Sequence, residues 1–162
     1  MTSPMHRFDA TIESLASGLP PKGRLLGLDL GTKTIGLALS DVERRLASPL
    51  DTIRRTKFST DAEALMKRVR DFEICGLIIG LPLELDGKAG PRAQATRAFM
   101  RNLASLAPPP HAYWDERFST ALVTRELIAR DVSRAKRAQV IDRMAAAYIL
   151  QGALDRLGRL DA

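Results

Sequence analysis

The chain has 162 residues, 45% hydrophobic and 27% charged, enough for one domain with a proper apolar core and at most a short appendage. No apolar run approaches the roughly 18 residues of a membrane span, and the polar start, which carries Asp9, does not read as a secretory leader, so a cytoplasmic protein is expected. Lys and Arg number 25 against 19 Asp and Glu, a net charge of +6, which favours a polyanionic partner.

Residues 1–22 read as an appendage. Ile12, Leu15, Ala16 and Leu19 have helical spacing, and Pro20-Pro21 ends that helix before Gly23. The remainder, 23–160, reads as one domain. Arg24–Leu30 is an apolar strand, Gly31-Thr32-Lys33 a turn, and Thr34–Ser40 a second strand, so the two form an antiparallel hairpin. A third strand lies within Ala47–Arg54. Asp61 to Phe72 carries helical apolar spacing at Ala62, Leu65, Met66, Val69 and Phe72. Cys75–Leu81 is a continuous apolar strand of the kind buried on both faces. Pro91–Leu106 reads as a helix stopped by three prolines, and His111–Trp114 as a short strand. Two helices follow, about Ser119–Arg130 and Ser133–Leu157, with Ser133 as N-cap and Gly158 as the stop. This is an α/β pattern with a mixed central sheet, three hairpin-joined strands followed by parallel strands, flanked by helices.

Ligands of such sheets collect at the carboxyl ends of the parallel strands. Three carboxylate-bearing segments meet there: Leu28-Asp29-Leu30, Gly80 through Asp86-Gly87, and Trp114-Asp115-Glu116-Arg117. Asp29 shares a strand face with Leu25 and Gly27, where a carboxylate needs a cation, an arginine or backbone donors beside it. Asp142, on the last helix, precedes Ala145, Ala146 and Ile149, a stripe of small and apolar residues that lets the helix pack closely on the sheet. The second acid is open among Asp115, Glu116 and Asp86, because neighbouring strand residues face opposite ways. Oxygen ligands of this kind suit Mg²⁺ (or Mn²⁺), which acts on phosphodiesters. The single Cys75 has no companion for a zinc site or an internal disulfide, and the Gly31-Thr32-Lys33-Thr34 turn lacks the spacing of a phosphate loop. The basic clusters Arg54-Arg55-Thr-Lys57, Lys67-Arg68-Val-Arg70 and Arg134-Ala-Lys136-Arg137 read singly as solvated faces.

At these residues the sequence resembles the YqgF/RuvX family, Holliday junction resolvases also described as pre-16S ribosomal RNA nucleases. The resemblance is carried by Gly27-Leu-Asp-Leu-Gly-Thr-Lys33 with Ile35-Gly-Leu-Ala-Leu-Ser-Asp41, by Gly80-Leu-Pro-Leu83 with Asp86-Gly87, and by Gly90-Pro-Arg-Ala-Gln94. Asp115-Glu-Arg117 with Ser119-Thr120, and Ile141-Asp142 with Ala145-Ala146, complete it. The resemblance implies an RNase H-like fold and a metal-dependent nuclease. It places the acidic set on Asp29, Glu116 and Asp142, Arg92 and Arg117 near the phosphates, and Ser119 and Thr120 in the substrate-binding part. Phe118, Thr34 and Glu84-Leu85 depart from the family's usual Leu, Arg and Asn-Met; Thr34 removes one phosphate contact and none of the acids.

The leading expectation is a nuclease that matures the 5′ end of precursor 16S ribosomal RNA, with Lys33, Arg92 and Arg117 positioning phosphates. The alternatives are a resolvase cutting four-way DNA junctions, a nucleic-acid-binding factor without catalysis, and an actin-like ATPase, for whose two lobes the chain is too short. Nucleic acid is the expected partner, no membrane is expected, and either a monomer or a homodimer is compatible with the sequence.

Overall fold

The structure, a computed structural model, describes residues 10–118 and 134–161; at Phe118 and across 134–142 it describes the backbone alone. The expected helix about Ser119–Arg130, the site candidates Ser119 and Thr120, and the expected cap Ser133 fall outside the described residues. In chain order the elements are α1 (Ile12–Gly18), β1 (Arg24–Leu30), β2 (Thr34–Ser40), β3 (Ala47–Arg54), α2 (Phe58–Asp71), β4 (Ile74–Leu81), α3 (Pro91–Leu103), β5 (His111–Asp115) and α4 (Arg134–Leu160).

The five strands form one sheet in the order β3-β2-β1-β4-β5. The three-residue turn after β1 leaves no room for a crossover, so β1 and β2 pair antiparallel, closed by Gly31 N–H donating to the Thr34 carbonyl at 2.9 Å. β3 returns antiparallel on β2. Helices α2 and α3 then carry the chain across to β4 and β5, which pair parallel.

Strand alternation splits the core in two. Leu26, Leu28 and Leu30 of β1 face α2 and α3, joining Leu65, Val69, Phe99 and Leu103. Leu25 faces the other way, with Ala146, Ile149 and Leu150 of α4 and with Ile12 and Leu15 of α1. Each such fully buried aliphatic side chain stabilises the fold by about 1.5–3 kcal/mol relative to exposure. On the α4 side β1 and β4 carry glycines. A Cβ at Gly27 would stand 2.8 Å from Leu150 Cβ and 3.0 Å from the Ala146 carbonyl oxygen, so the helix backbone rests directly on β1.

β4 starts one residue before the expected strand, at Ile74, β5 ends one residue after it, at Asp115, and three helix boundaries differ from expectation. Helix α2 starts at Phe58 rather than Asp61: the Phe58 ring packs edge-on against Phe99, with centroids 5.2 Å apart, and Asp61 accepts the Thr56 N–H at 3.0 Å, which orders the extra turn. Helix α3 ends at Leu103, tightening into a 3-10 turn over Ala104–Leu106. Gly158 does not stop α4, which runs on to Leu160; a glycine ends a helix by turning left-handed, and only Gly23 and Gly87 have positive φ among the described glycines. Cys75 is half-buried, and its thiol donates to the Arg24 carbonyl at 3.4 Å.

Candidate active site

Asp29 is the last residue but one of β1. It pairs with Gly36 of β2, and one step beyond the Leu28–Ile79 pair lies Gly80 of β4. Strands lie about 4.8 Å apart, and the two neighbouring glycines put no side chain beside the Asp29 carboxylate. It faces the α4 side, the side of Leu25 and Gly27, and is 1% exposed.

Gly80 in turn pairs with Trp114 of β5. Strand β5 ends at Asp115, and a 3-10 turn, Glu116–Phe118, takes over. That turn brings the Glu116 carboxylate back over the sheet. A Cβ built on Gly80 would meet Glu116 Oε1 at 2.8 Å and Ile149 Cδ1 at 2.5 Å. Glu116 therefore occupies the space a side chain on β4 would fill, one strand from Asp29, and is 3% exposed. Two carboxylates this buried need compensating positive charge or donors to remain ionised.

Of the three candidates for the second acid, Glu116 takes the buried place. Asp115 is tied up locally: its carboxylate accepts Nε (3.0 Å) and Nη2 (2.6 Å) of Arg117 and the Arg117 N–H at 3.0 Å. Partial burial pushes the Asp115 pKa up, but these bonds from Arg117 outweigh it and hold the group below the usual carboxylate range. The same contact raises the Arg117 pKa above its ordinary value. Asp86 is exposed and accepts the Lys88 N–H at 3.0 Å within its own loop.

Arg117 also donates Nη1 to the Leu85 carbonyl at 3.2 Å, and its guanidinium lies against Gly87, whose φ of +87° suits glycine. It thereby fastens the loop 82–90 to the end of β5. Lys33 is exposed in the turn after Asp29, and Arg92 is exposed in the first turn of α3, beside Gly31 and Thr32. Asp142 lies in α4 one turn before Ala146, the residue whose carbonyl rests on Gly27; its side chain is outside the described set. Among the described residues no three acids or histidines converge on one point.

Two residues of this edge are given no role of their own in the sequence reading. Gly80 is one, although a glycine inside an apolar strand signals close approach of another group. Arg55 is the other. It donates Nη1 to the Gly31 carbonyl at 2.6 Å and braces the turn that follows Asp29, a role hidden inside a basic cluster that reads as a solvated face.

The donor chemistry fits a hard divalent cation. The buried groups are carboxylate oxygens, His111 packs edge-on against Tyr113 (centroids 5.3 Å apart), and Cys75 sits near the opposite end of β4.

Comparison with known proteins agrees with this architecture. Residues 23–156 match the family described as RuvX, Holliday junction resolvase. A Methylocella silvestris protein named "Putative pre-16S rRNA nuclease" is 62% identical over 151 residues, 93% of this chain and 94% of that one. A protein of the same name from Beijerinckia indica subsp. indica is 66% identical over 139 residues, covering 86% and 84%. In the solved structure of T. thermophilus RuvC in complex with Holliday junction substrate, the similarity covers 84% of this chain and 96% of that one, with a TM-score of 0.53 and 13% identity, a likeness of fold that makes this sheet RNase H-like. The chain belongs to the RuvX family.

Proposed function

We propose that this chain is a divalent-metal-dependent nuclease that cleaves precursor 16S ribosomal RNA near its 5′ end. The observation that carries the reading is the pair of buried carboxylates, Asp29 and Glu116, set on one sheet face across Gly80 at the carboxyl end of the parallel strands. The names of the relatives support the RNA substrate.

Asp29, Glu116 and Asp142 would hold Mg²⁺ or Mn²⁺, which supplies charge neutralisation and an activated water at the phosphodiester. The chain's own part is to fix the geometry. The glycines beside Asp29 leave its carboxylate room, and the 3-10 turn locks Glu116 above β4. Ile149, fully buried, packs over Gly80 beside the Glu116 carboxylate. Lys33, Arg92 and Arg117 would hold the strand by its phosphates, contacts that set position rather than sequence.

The test is cleavage of a 5′-extended 16S precursor RNA in Mg²⁺ by Asp29→Asn, Glu116→Gln and Asp142→Asn. Each is expected to fall at least about 10²-fold, since the ion is worth several kcal/mol of barrier. Undiminished Mg²⁺-dependent cleavage by any one removes that residue from the site, and by all three overturns the reading.

The family description favours a second reading, cleavage of four-way DNA junctions by the same acids in a homodimer. Junction DNA assayed beside the precursor RNA, with the mass of the active species measured, separates the two.

A further inference from the structure

The face of the sheet opposite Glu116 also carries a feature at this edge. A cleft of about 60 Å³ opens between the β1–β2 turn and α3, lined by Gly31, Thr32, Arg55, Arg92, Thr96 and Phe99 among others. It has room for about four water-sized atoms, enough for the oxygens of a phosphate and too little for a base.

Arg55 is held in this cleft from several sides. Its backbone N–H donates to the Lys33 carbonyl at 2.8 Å, and Nη1 to the Gly31 carbonyl at 2.6 Å. Nε stands 4.0 Å from Oδ2 of Asp61, a carboxylate 3% exposed. The guanidinium carbon lies 5.7 Å from the centre of the Phe99 ring. These contacts fix the planar fork before any ligand arrives, so little side-chain entropy remains to be lost on binding. Nη2 donates to none of the described residues, and the side chain is 32% exposed. Arg92, the other guanidinium on the cleft, donates its side chain to none of them either. Phe99 is 5% exposed and offers no free face for a base to stack on. Charge is therefore what the cleft can read, and planar forks match phosphate oxygens.

We propose that this cleft is a phosphate subsite, in which Arg55 and Arg92 together grip one backbone phosphate of the bound strand, neighbouring the phosphate under attack. Gly31 follows Asp29 by two residues, about 7 Å along an extended strand, so a strand engaged at the acids passes within reach of the cleft. The subsite rests on the nuclease reading for its ligand and not on catalysis.

The test is binding of the full chain to 5′-extended precursor RNA, without divalent metal, between 50 and 300 mM salt. A single-stranded phosphate released from protein contact lowers the steepness of log K against log salt by about 0.7. Arg55→Gln and Arg92→Gln are each expected to lose at most about that much, and the double variant about 0.7 in all, because the two share one phosphate. An unchanged slope in the double variant, or a loss of about 1.4 there, overturns the subsite. Arg92→Gln breaks no protein contact among the described residues, so a folding defect in Arg55→Gln does not obscure the result. A wild-type chain that fails to bind RNA at all sinks the RNA reading itself. Binding as proposed with no cleavage in Mg²⁺ keeps the subsite and discards the nuclease.

Discussion

Gly80→Ala is the most direct probe of how the acid pair is built. The added methyl carbon would stand 2.5 Å from Ile149 Cδ1 and 2.8 Å from Glu116 Oε1. Ordinary carbon contacts begin near about 3.5 Å, so each group must retreat by roughly half an ångström to one ångström. Ile149 is fully buried and has little freedom to move, which throws much of the displacement onto Glu116. Overpacking of this kind costs about 1–3 kcal/mol of stability. A displacement approaching 1 Å at a reacting centre costs up to about 10²-fold in rate, or ~2.7 kcal/mol of barrier. Gly76→Ala is the matched control. Its methyl would meet Leu25 Cδ2 at 2.8 Å and Leu19 Cδ2 at 3.1 Å, a similar crowding at the other end of β4, away from the acids. Single-turnover cleavage of precursor RNA in Mg²⁺ gives the rate, and urea unfolding gives the stability. Both variants are expected to lose comparable stability, and only Gly80→Ala to lose about 10- to 100-fold in rate. If Gly80→Ala cleaves at the wild-type rate, Glu116 is not held by that contact. If Gly76→Ala loses as much activity as Gly80→Ala, the rate effect is a general consequence of strain in β4.

Three further outcomes follow from the packing and the charges. Leu15→Ala, which removes a 3%-exposed side chain from the α1–α4 contact, is expected to cost about 2–5 kcal/mol in urea unfolding; no change would make α1 dispensable to the fold. Burial holds the His111 pKa below its ordinary value of about 6.5, so its contribution to stability is full above that pH. As pH falls below about 6.5 the unfolded chain takes up a proton the folded chain resists, and stability drops until the folded-state pKa is passed. His111→Gln should flatten the urea-unfolding pH profile below about 6.5, by at most ~1.4 kcal/mol per pH unit, and an unaltered profile would acquit His111. Arg117→Met removes the donors that hold Asp115 below the carboxylate range, so the Asp115 titration followed by NMR should move upward; a fixed midpoint would mean the backbone N–H alone sets it.

The antiparallel half of the sheet is legible in the sequence, and the reason is local. A three-residue turn between two apolar runs permits only a hairpin, and the two faces of β2 follow from Ile35, Leu37 and Leu39 against Gly36, Ala38 and Ser40, although both are buried. Asp29 is legible for the same reason, because β1 parity puts it on the side of Leu25 and Gly27. The start of α2 is less so: Phe58 joins the helix through Phe99, some forty residues downstream, and no local pattern announces that contact. Arg55 hides for a related cause. Its partners lie in the β1–β2 turn and on α2 and α3, and the sequence around it shows only a row of cations.

The choice between Asp115 and Glu116 turns on the one quantity a sequence of helix-linked parallel strands does not carry, their register. Hairpins set register through the turn; β4 and β5 are joined through α3, which leaves it free. Parity still holds within each strand. Leu25, Gly27 and Asp29 share the α4 side of β1, Gly76, Ile78 and Gly80 that of β4, and Ala112 and Trp114 that of β5. Parity within β5 puts Asp115 on the other side, and the 3-10 turn that follows folds Glu116 back over Gly80. The small residues mark that side in advance, since Gly27, Gly76 and Gly80 stand where the opposite face of β1 and β4 has leucine and isoleucine. A helix backbone pressed onto β1 and a carboxylate folded over β4 are both demands for missing side chains. The glycine-lined face is therefore the one on which Asp29 and Glu116 can meet, and Gly80 is the residue that gives Glu116 its place there.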